Sequence, residues 1–295
     1  MWPKNILVYR RNGESLADLE AQLARRPPVK PGALEKFADG WGHPAPFRDD
    51  VAPTFAGFRL VKLTREEKVL PAPVIKAALA ERVADVQRRE GRKVTRKEKR
   101  ELKEQVTEAL LAKALTKVGH TLAWMNDDYV FIDAGSHNKG ETLLSKLREA
   151  LPPFPAMLPR LNMSPRAAMT SWLAAGEAPG DFELDCDCTL EDSAEGGAKV
   201  TVRRATLTDD DVRKHIELGK QATSCGFVWR DRIRFVLTDT LQLKRIQFLE
   251  VVQAEARDEA EDDQDAMFEA TFRIMSADLA ALVADLVVAL GGFEA

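Results

Sequence analysis

The chain has 295 residues, 45% of them hydrophobic and 31% charged, with a formal net charge of −4. That balance excludes a disordered or fibrous chain and leaves room for one large or two ordinary domains around a sizeable core. Three cysteines, Cys186, Cys188 and Cys225, are too few for a disulfide framework, and no apolar h-region follows Met1-Trp2-Pro3-Lys4, so a cytosolic protein is expected.

NILVYRRN (5 to 12) reads as a strand, SLADLEAQLARR (15 to 26) as a helix, and the Pro/Gly-rich stretch that follows as a loop reaching about Pro53. FAGFRLVKLTREEKVL (55 to 70) alternates as one or two strands. From Pro71 the period becomes helical, with Leu79, Val83 and Val86 on one stripe and Leu102, Val106 and Leu110 on another. Gly91 suits the residue after a helix end, and Thr95-Arg-Lys-Glu98 has capping-box spacing, which together predict an αα-hairpin arm over residues 71–115. Its second helix, residues 96–115, would be about 30 Å long at about 1.5 Å per residue.

HTLAWMNDDYVFIDA (120 to 134) reads as a hairpin, KGETLLSKLREAL (139 to 151) as a helix, and SPRAAMTSWLAA (164 to 175) as a helix capped by Ser164 with Pro165 at its first position. FELDCDCTL (182 to 190) alternates strictly, a half-buried strand with both cysteines on one face and both aspartates on the other. KVTVRRATL (199 to 207) can pair with it. TDDDVRKHIELGK (208 to 220) is a helix, and CGFVW, RIRFVLTD and LKRIQFLEV are strands. ARDEAEDDQDA (256 to 266) reads as a solvated loop and FEATFRIM (268 to 275) as a strand. ADLAALVADLVVAL (277 to 290), capped by Ser276 and stopped by Gly291-Gly292, carries Asp278 and Asp285 and is a core helix, not a membrane span. The class is therefore α+β, antiparallel sheets with segregated helices and a protruding long αα-hairpin. The parts are an N-terminal α+β unit (1–70 and 116–175), the arm (71–115) and a C-terminal α+β unit (176–295).

Charge is segregated along the chain. Residues 61–120 hold sixteen Lys or Arg against nine Asp or Glu, and the stretch RREGRKVTRKEKRELK (88 to 103) alone holds nine against three. Pairs at i, i+4, Lys97 with Glu101 and Arg100 with Glu104, neutralise part of this, in the weaker cation-first order. The surplus of Arg88, Arg89, Arg92, Lys93, Arg96, Lys99 and Lys103 favours contact with phosphates over a merely solvated face, and Lys97 and Arg100 are counted as candidate DNA contacts with them. Lys113, Lys117, Arg203, Arg204, Lys244 and Arg245 extend the basic set to other elements.

Catalytic signatures are weak. Asp185-Cys186-Asp187-Cys188 lacks the partner ligands of a zinc site, and neither a catalytic residue, a metal nor a cofactor is expected. Asp185, Asp187, Glu191 and Asp192 could imitate a two-metal nuclease, the first alternative. GSHNKGET (135 to 142) follows a strand and opens a helix as a P-loop does, yet Glu141 stands where the phosphate-binding Lys belongs. The four histidines, His43, His120, His137 and His215, form no motif. A second alternative is an interaction scaffold whose charged arm docks an acidic protein.

Four blocks, MWPKNILVYR, REEKVLPAPVIKAAL (65 to 79), HIELGKQATSCGFVWRDRIRFVLTDTLQLKRIQFLE (215 to 250) and ADLAALVADLVVALGG, resemble the recombination-associated RdgC family of proteobacteria, in order and over nearly the whole chain. The sequence departs from the family pattern at Pro3, at Thr240 and in CGFVW. The resemblance implies a ring-shaped, head-to-head homodimer, associated with the nucleoid, that binds double-stranded DNA with little sequence preference and restrains RecA-driven strand exchange without being an enzyme. It also implies that the basic residues named above line the DNA path and that Leu115 sits at an intersubunit contact.

Overall fold

In chain order the elements are β1 (Asn5–Arg11), α1 (Leu19–Ala24), β2 (Phe37–Gly42), β3 (Thr54–Phe55), β4 (Phe58–Lys68), α2 (Ala72–Glu90), α3 (Arg96–Leu111), β5 (Thr116–Met125), β6 (Tyr129–Asp133), α4 (His137–Ala150), β7 (Ala156–Met157), α5 (Pro165–Ala175), β8 (Phe182–Glu191), β9 (Lys199–Val202), α6 (Asp210–Glu217), β10 (Gln221–Trp229), β11 (Ile233–Thr238), β12 (Gln242–Phe248), α7 (Glu250–Ala260) and α8 (Gln264–Ala289). This computed structural model describes residues 2–13, 15–192, 197–204, 207, 210–260 and 263–294. The fold is α+β. Its strands form one open antiparallel sheet in the order β2-β4-β5-β6-β1-β12-β11-β10-β8-β9, with β3 beside β4 and β7 beside β1.

β1 explains why its sequence is a continuous apolar run. It is central, paired with β6 on one side and β12 on the other, and both of its faces are buried. Ile6 and Val8 join Leu60, Trp124, Phe131, Phe227 and Phe235 under α5, α7 and α8. Leu7 and Tyr9 join Val61 and Ile132 under α1 and α4. A strand covered on two faces loses the alternation of a half-exposed one. At roughly 1.5–3 kcal/mol per fully buried large side chain, these two layers dominate the stability of the sheet.

Several expectations change. The stretch taken as loop up to about Pro53 contains β2, whose FADGWG sequence is a poor strand former. Pairing with β4 holds it, together with the Arg65 fork onto Asp39 at 2.7 and 2.8 Å. Trp41 N–H donates to the Arg26 carbonyl at 2.8 Å, so residues 26–28 lie along the outer edge of β2. A Cβ at Gly40 would sit 2.3 Å from the Pro27 carbonyl oxygen, which is why only glycine fits there. The first helix is shorter than 15–26, and β12 stops at Phe248, after which α7 begins.

Residues 268–275, expected as a strand, are helical, and Ser276 lies inside α8 instead of capping it; the cap is Asp263, which accepts from Asp265 N–H at 3.1 Å. FEATFRIM fits a period of two as well as 3.6. The longer register decides, because Phe268, Phe272, Met275 and Leu279 recur at helical spacing and pack toward Phe47, Phe55 and Trp124. The acidic stretch 256–266 is likewise mostly helix, the end of α7 and the start of α8, with Arg257 paired to Glu250 and Arg273 to Glu259; residues 261–262 lie outside those described. Residues 205–206 and 208–209 of the expected strand and helix also lie outside them, while α6 covers Asp210–Glu217. No helix among the described residues is long and apolar enough to cross a membrane.

Candidate nucleic-acid interface

α2 follows Pro71, carries Pro73 in its first turn and ends at Gly91, whose φ of +68° is costly for a residue with a Cβ. α3 opens on the capping box: Thr95 Oγ1 accepts from Glu98 N–H at 3.3 Å and Glu98 Oε2 accepts from Thr95 N–H at 2.8 Å. Arg92 reaches across the same turn to Glu98, with Nη1 donating to Oε2 at 2.9 Å, and to Glu90 at 2.6 Å. Arg92, ahead of the Thr95 donors, pulls the Glu98 carboxyl down to about 2.

Not every cation of this segment is free. Arg89 pairs with Asp85 at 3.2 Å, in the favoured acid-first order, and Arg92 is held as above. The expected pairs Lys97–Glu101 and Arg100–Glu104 do not form. Among the described residues Arg88, Lys93, Arg96, Lys97, Lys99, Arg100, Lys103 and Lys113 engage no acid. α2 and α3 touch, and Arg96, Lys99, Arg100 and Lys103 line a groove of about 570 Å³ against α2. Leu115, beyond the end of α3, is 83% exposed, and its carbonyl accepts from Val69 N–H at 2.7 Å.

Lys117 lies on β5 beside the base of the helical pair and bonds Glu67 at 3.1 Å. It lines a hollow of about 560 Å³ with Arg65, His120, Ser136 and Lys139. Here the GSHNKGET turn delivers α4 to the sheet. Lys139 Nζ donates to the His120 carbonyl at 3.2 Å, and burial, then Lys62 and Lys139, hold the His120 imidazole below its ordinary range. Glu141, which stands where a P-loop would have its Lys, lies 3.6 Å from Arg148.

The remaining cations converge on the far half of the sheet. Arg203, Arg204 and Arg245 meet Arg234 in a hollow of about 400 Å³ that also exposes Asp185, Cys186 and Asp187. Arg245 binds Asp187 at 2.7 Å, Arg234 binds Asp185 at 3.2 Å, and Arg204 N–H donates to Asp187 Oδ1 at 3.1 Å. Lys244 and Arg245 line an adjoining hollow of about 440 Å³ with Asn5 and Lys199. Adjacent residues share that hollow because the register of β11 and β12 shifts and Arg245 takes a φ of +51°. A similar shift between β8 and β10 breaks the strict alternation expected of FELDCDCTL. Cys188 is buried opposite Cys225, but Cys186 is half-buried in the hollow with both aspartates. Burial pushes the Cys188 thiol up to about 11.

The three hollows lie on one face of the sheet. Asn5, Leu7, Gln242, Lys244 and Val236 share a face through the pairings Asn5↔Lys244, Leu7↔Gln242 and Val236↔Lys244. That is the face α1 and α4 cover beside β1 and leave open from β12 onward. Lys139 and Arg234 belong to this surface and were not singled out in the sequence. Their signal was the strand-to-helix turn and the alternation of RIRFVL, neither of which marks a phosphate contact by itself.

The carboxylates of the nuclease alternative are each matched by a cation: Asp185 and Asp187 as above, Glu191 by Lys199 at 3.8 Å and Asp192 by Lys220 at 2.8 Å. Among the described residues no cluster of three or more His, Cys, Asp or Glu could hold a metal ion.

A sequence model of the family described as "Putative exonuclease, RdgC" matches residues 1–293. A protein of Laribacter hongkongensis named "Recombination-associated protein RdgC" is 47% identical over 99% of each chain. Proteins of the same name from Neisseria meningitidis serogroup C, 40% identical over 100% of each chain, and from Cupriavidus necator, 38% identical over 99% of each, are also similar.

Proposed function

The chain belongs to the RdgC family, and from that premise we propose that it is a non-enzymatic protein that encircles double-stranded DNA as a ring-shaped homodimer, without sequence preference, and restrains RecA-driven recombination at the nucleoid. The observation that carries this reading is the run of cations without acid partners on α3, followed by the basic hollows along one open face of the sheet. Such a surface offers positive charge and hydrogen-bond donors to a phosphate backbone, contacts that position a duplex without reading its sequence. The fifteen cations named from the sequence are its candidate contacts, joined by Lys139 and Arg234. Leu115, an exposed apolar side chain between α3 and β5, is the candidate contact between subunits. Occupation of the duplex then limits access of RecA to it.

Pairing of Asp185, Asp187, Glu191 and Asp192 with cations argues against the exonuclease reading, because two-metal hydrolysis needs carboxylates free to hold divalent ions. Affinity for two unrelated duplexes, measured as salt is raised from about 50 to about 200 mM, tests the proposal. If about 6 to 10 phosphates are neutralised, both affinities fall by about 1,000-fold to 100,000-fold. Arg245→Ala should lower both equally and reduce the salt slope by about one. A flat salt response, or loss of duplex ends on addition of Mg²⁺ or Mn²⁺, would overturn it.

A further inference from the structure

The groove between α2 and α3 has a composition that duplex binding does not use. Its floor is aliphatic, made by Ala72, Ile75 and Leu79 of α2, and its rim is formed by Lys76 and the four α3 cations, with no acidic residue among its lining. Leu79 is the buried residue of α2 and Ile75 is half-buried. Among the described residues none of the five cations has an acid partner. The lining residues recur at i, i+3, i+4 and i+7 on both helices, so the groove runs for about two turns, roughly 10 Å at about 1.5 Å per residue. At about 570 Å³ it has room for small groups of side chains.

We propose that this groove docks a short acidic peptide segment of another protein, one that carries aliphatic anchor side chains between its carboxylates. A phosphate backbone would satisfy the rim but leaves the floor wet, because a B-form duplex presents no aliphatic chain to fill it beyond thymine methyl groups. An acidic amphipathic peptide satisfies both at once, with carboxylates on Lys and Arg heads and its apolar face on Ile75 and Leu79. Charge complementarity speeds the encounter and the apolar floor holds the complex. Because Arg96, Lys99, Arg100 and Lys103 are also candidate phosphate contacts, an acidic peptide seated here competes with duplex for the same side chains.

Fluorescence anisotropy of a labelled Asp-Asp-Leu-Leu repeat peptide, beside an Asp-Asp-Ser-Ser repeat, reads this with the full-length protein. The leucine peptide should bind at least about tenfold more tightly than the serine one. Ile75→Gln should remove about tenfold of that affinity while helical content and duplex affinity stay as in the wild type. Ala72→Glu, at the exposed first turn of α2, should weaken the leucine peptide by a similar factor. Equal binding of the two peptides would overturn the proposal and make the groove a general polyanion surface. So would an Ile75→Gln protein whose duplex affinity or sedimentation changes while its peptide affinity does not, since the floor would then contact DNA or a second copy. The comparison of the two peptides does not depend on the wild-type protein binding duplex, so its failure is distinguishable from failure of the DNA-binding reading.

Discussion

Arg92 sits between the carboxylates of Glu90 and Glu98, and Glu98 at the same time closes the capping box with Thr95. The box was legible in the sequence because it depends only on spacing along four residues. The engagement of Arg92 was not, because it requires the chain to double back at Gly91 with positive φ. The depressed Glu98 carboxyl sets a pH dependence with a definite sign: its contribution to stability is complete above its ordinary value of 4.5 and is lost as pH falls toward about 2. Glu98→Gln should therefore lower the unfolding midpoint relative to wild type at neutral pH, and the difference should shrink as pH drops through that window in thermal melts. The same substitution releases Arg92, so duplex affinity should be retained or increased. Loss of affinity would mean the turn matters to binding more than the freed charge does. Arg204 and Arg245 show the opposite limit of legibility. Their positive φ values and the shifted register bring them to one hollow, and nothing in KVTVRRATL or LKRIQ announces a bulge.

Among the elements, α8 was the hardest to read. Its first half alternates like a strand, and only the recurrence of Phe268, Phe272, Met275 and Leu279 across the assumed boundary at Ser276 reveals one helix. Phe272 is fully buried against Phe55 and Trp124, and Glu269 on the outer side reaches Arg48 at 3.3 Å. Phe272→Ala should cost about 3–5 kcal/mol of unfolding free energy in urea titration. Glu269→Ala should cost no more than about 1 kcal/mol, since an exposed ion pair is screened by water. A strand over these residues would alternate Phe268, Ala270, Phe272 and Ile274 inward, and Met275→Ala would then be mild. In the helix Met275 is fully buried, and its truncation should cost about 2–5 kcal/mol.

At the scale of the molecule, the α+β class and the antiparallel pairing were legible from composition and local period. The order of strands was not. β1 enters between β6 and β12, partners distant in sequence, and its apolar run states only that it is buried on two faces. The basic surface was half legible for the same reason: the helical segment declares itself as a charge run, whereas the sheet hollows are assembled by strands far apart in the chain. The open sheet has two ends, and an uncovered strand edge invites another chain to extend it. At β2 the backbone of residues 26–28 occupies that position, and Gly40 is what lets it lie so close. The Trp41 N–H, which a neighbouring chain would otherwise capture, is already taken by the Arg26 carbonyl, so a second copy finds that part of the edge occupied. Gly40→Ala would lift that shield, and light scattering should then rise with concentration as filaments form, under conditions where the wild type stays clear.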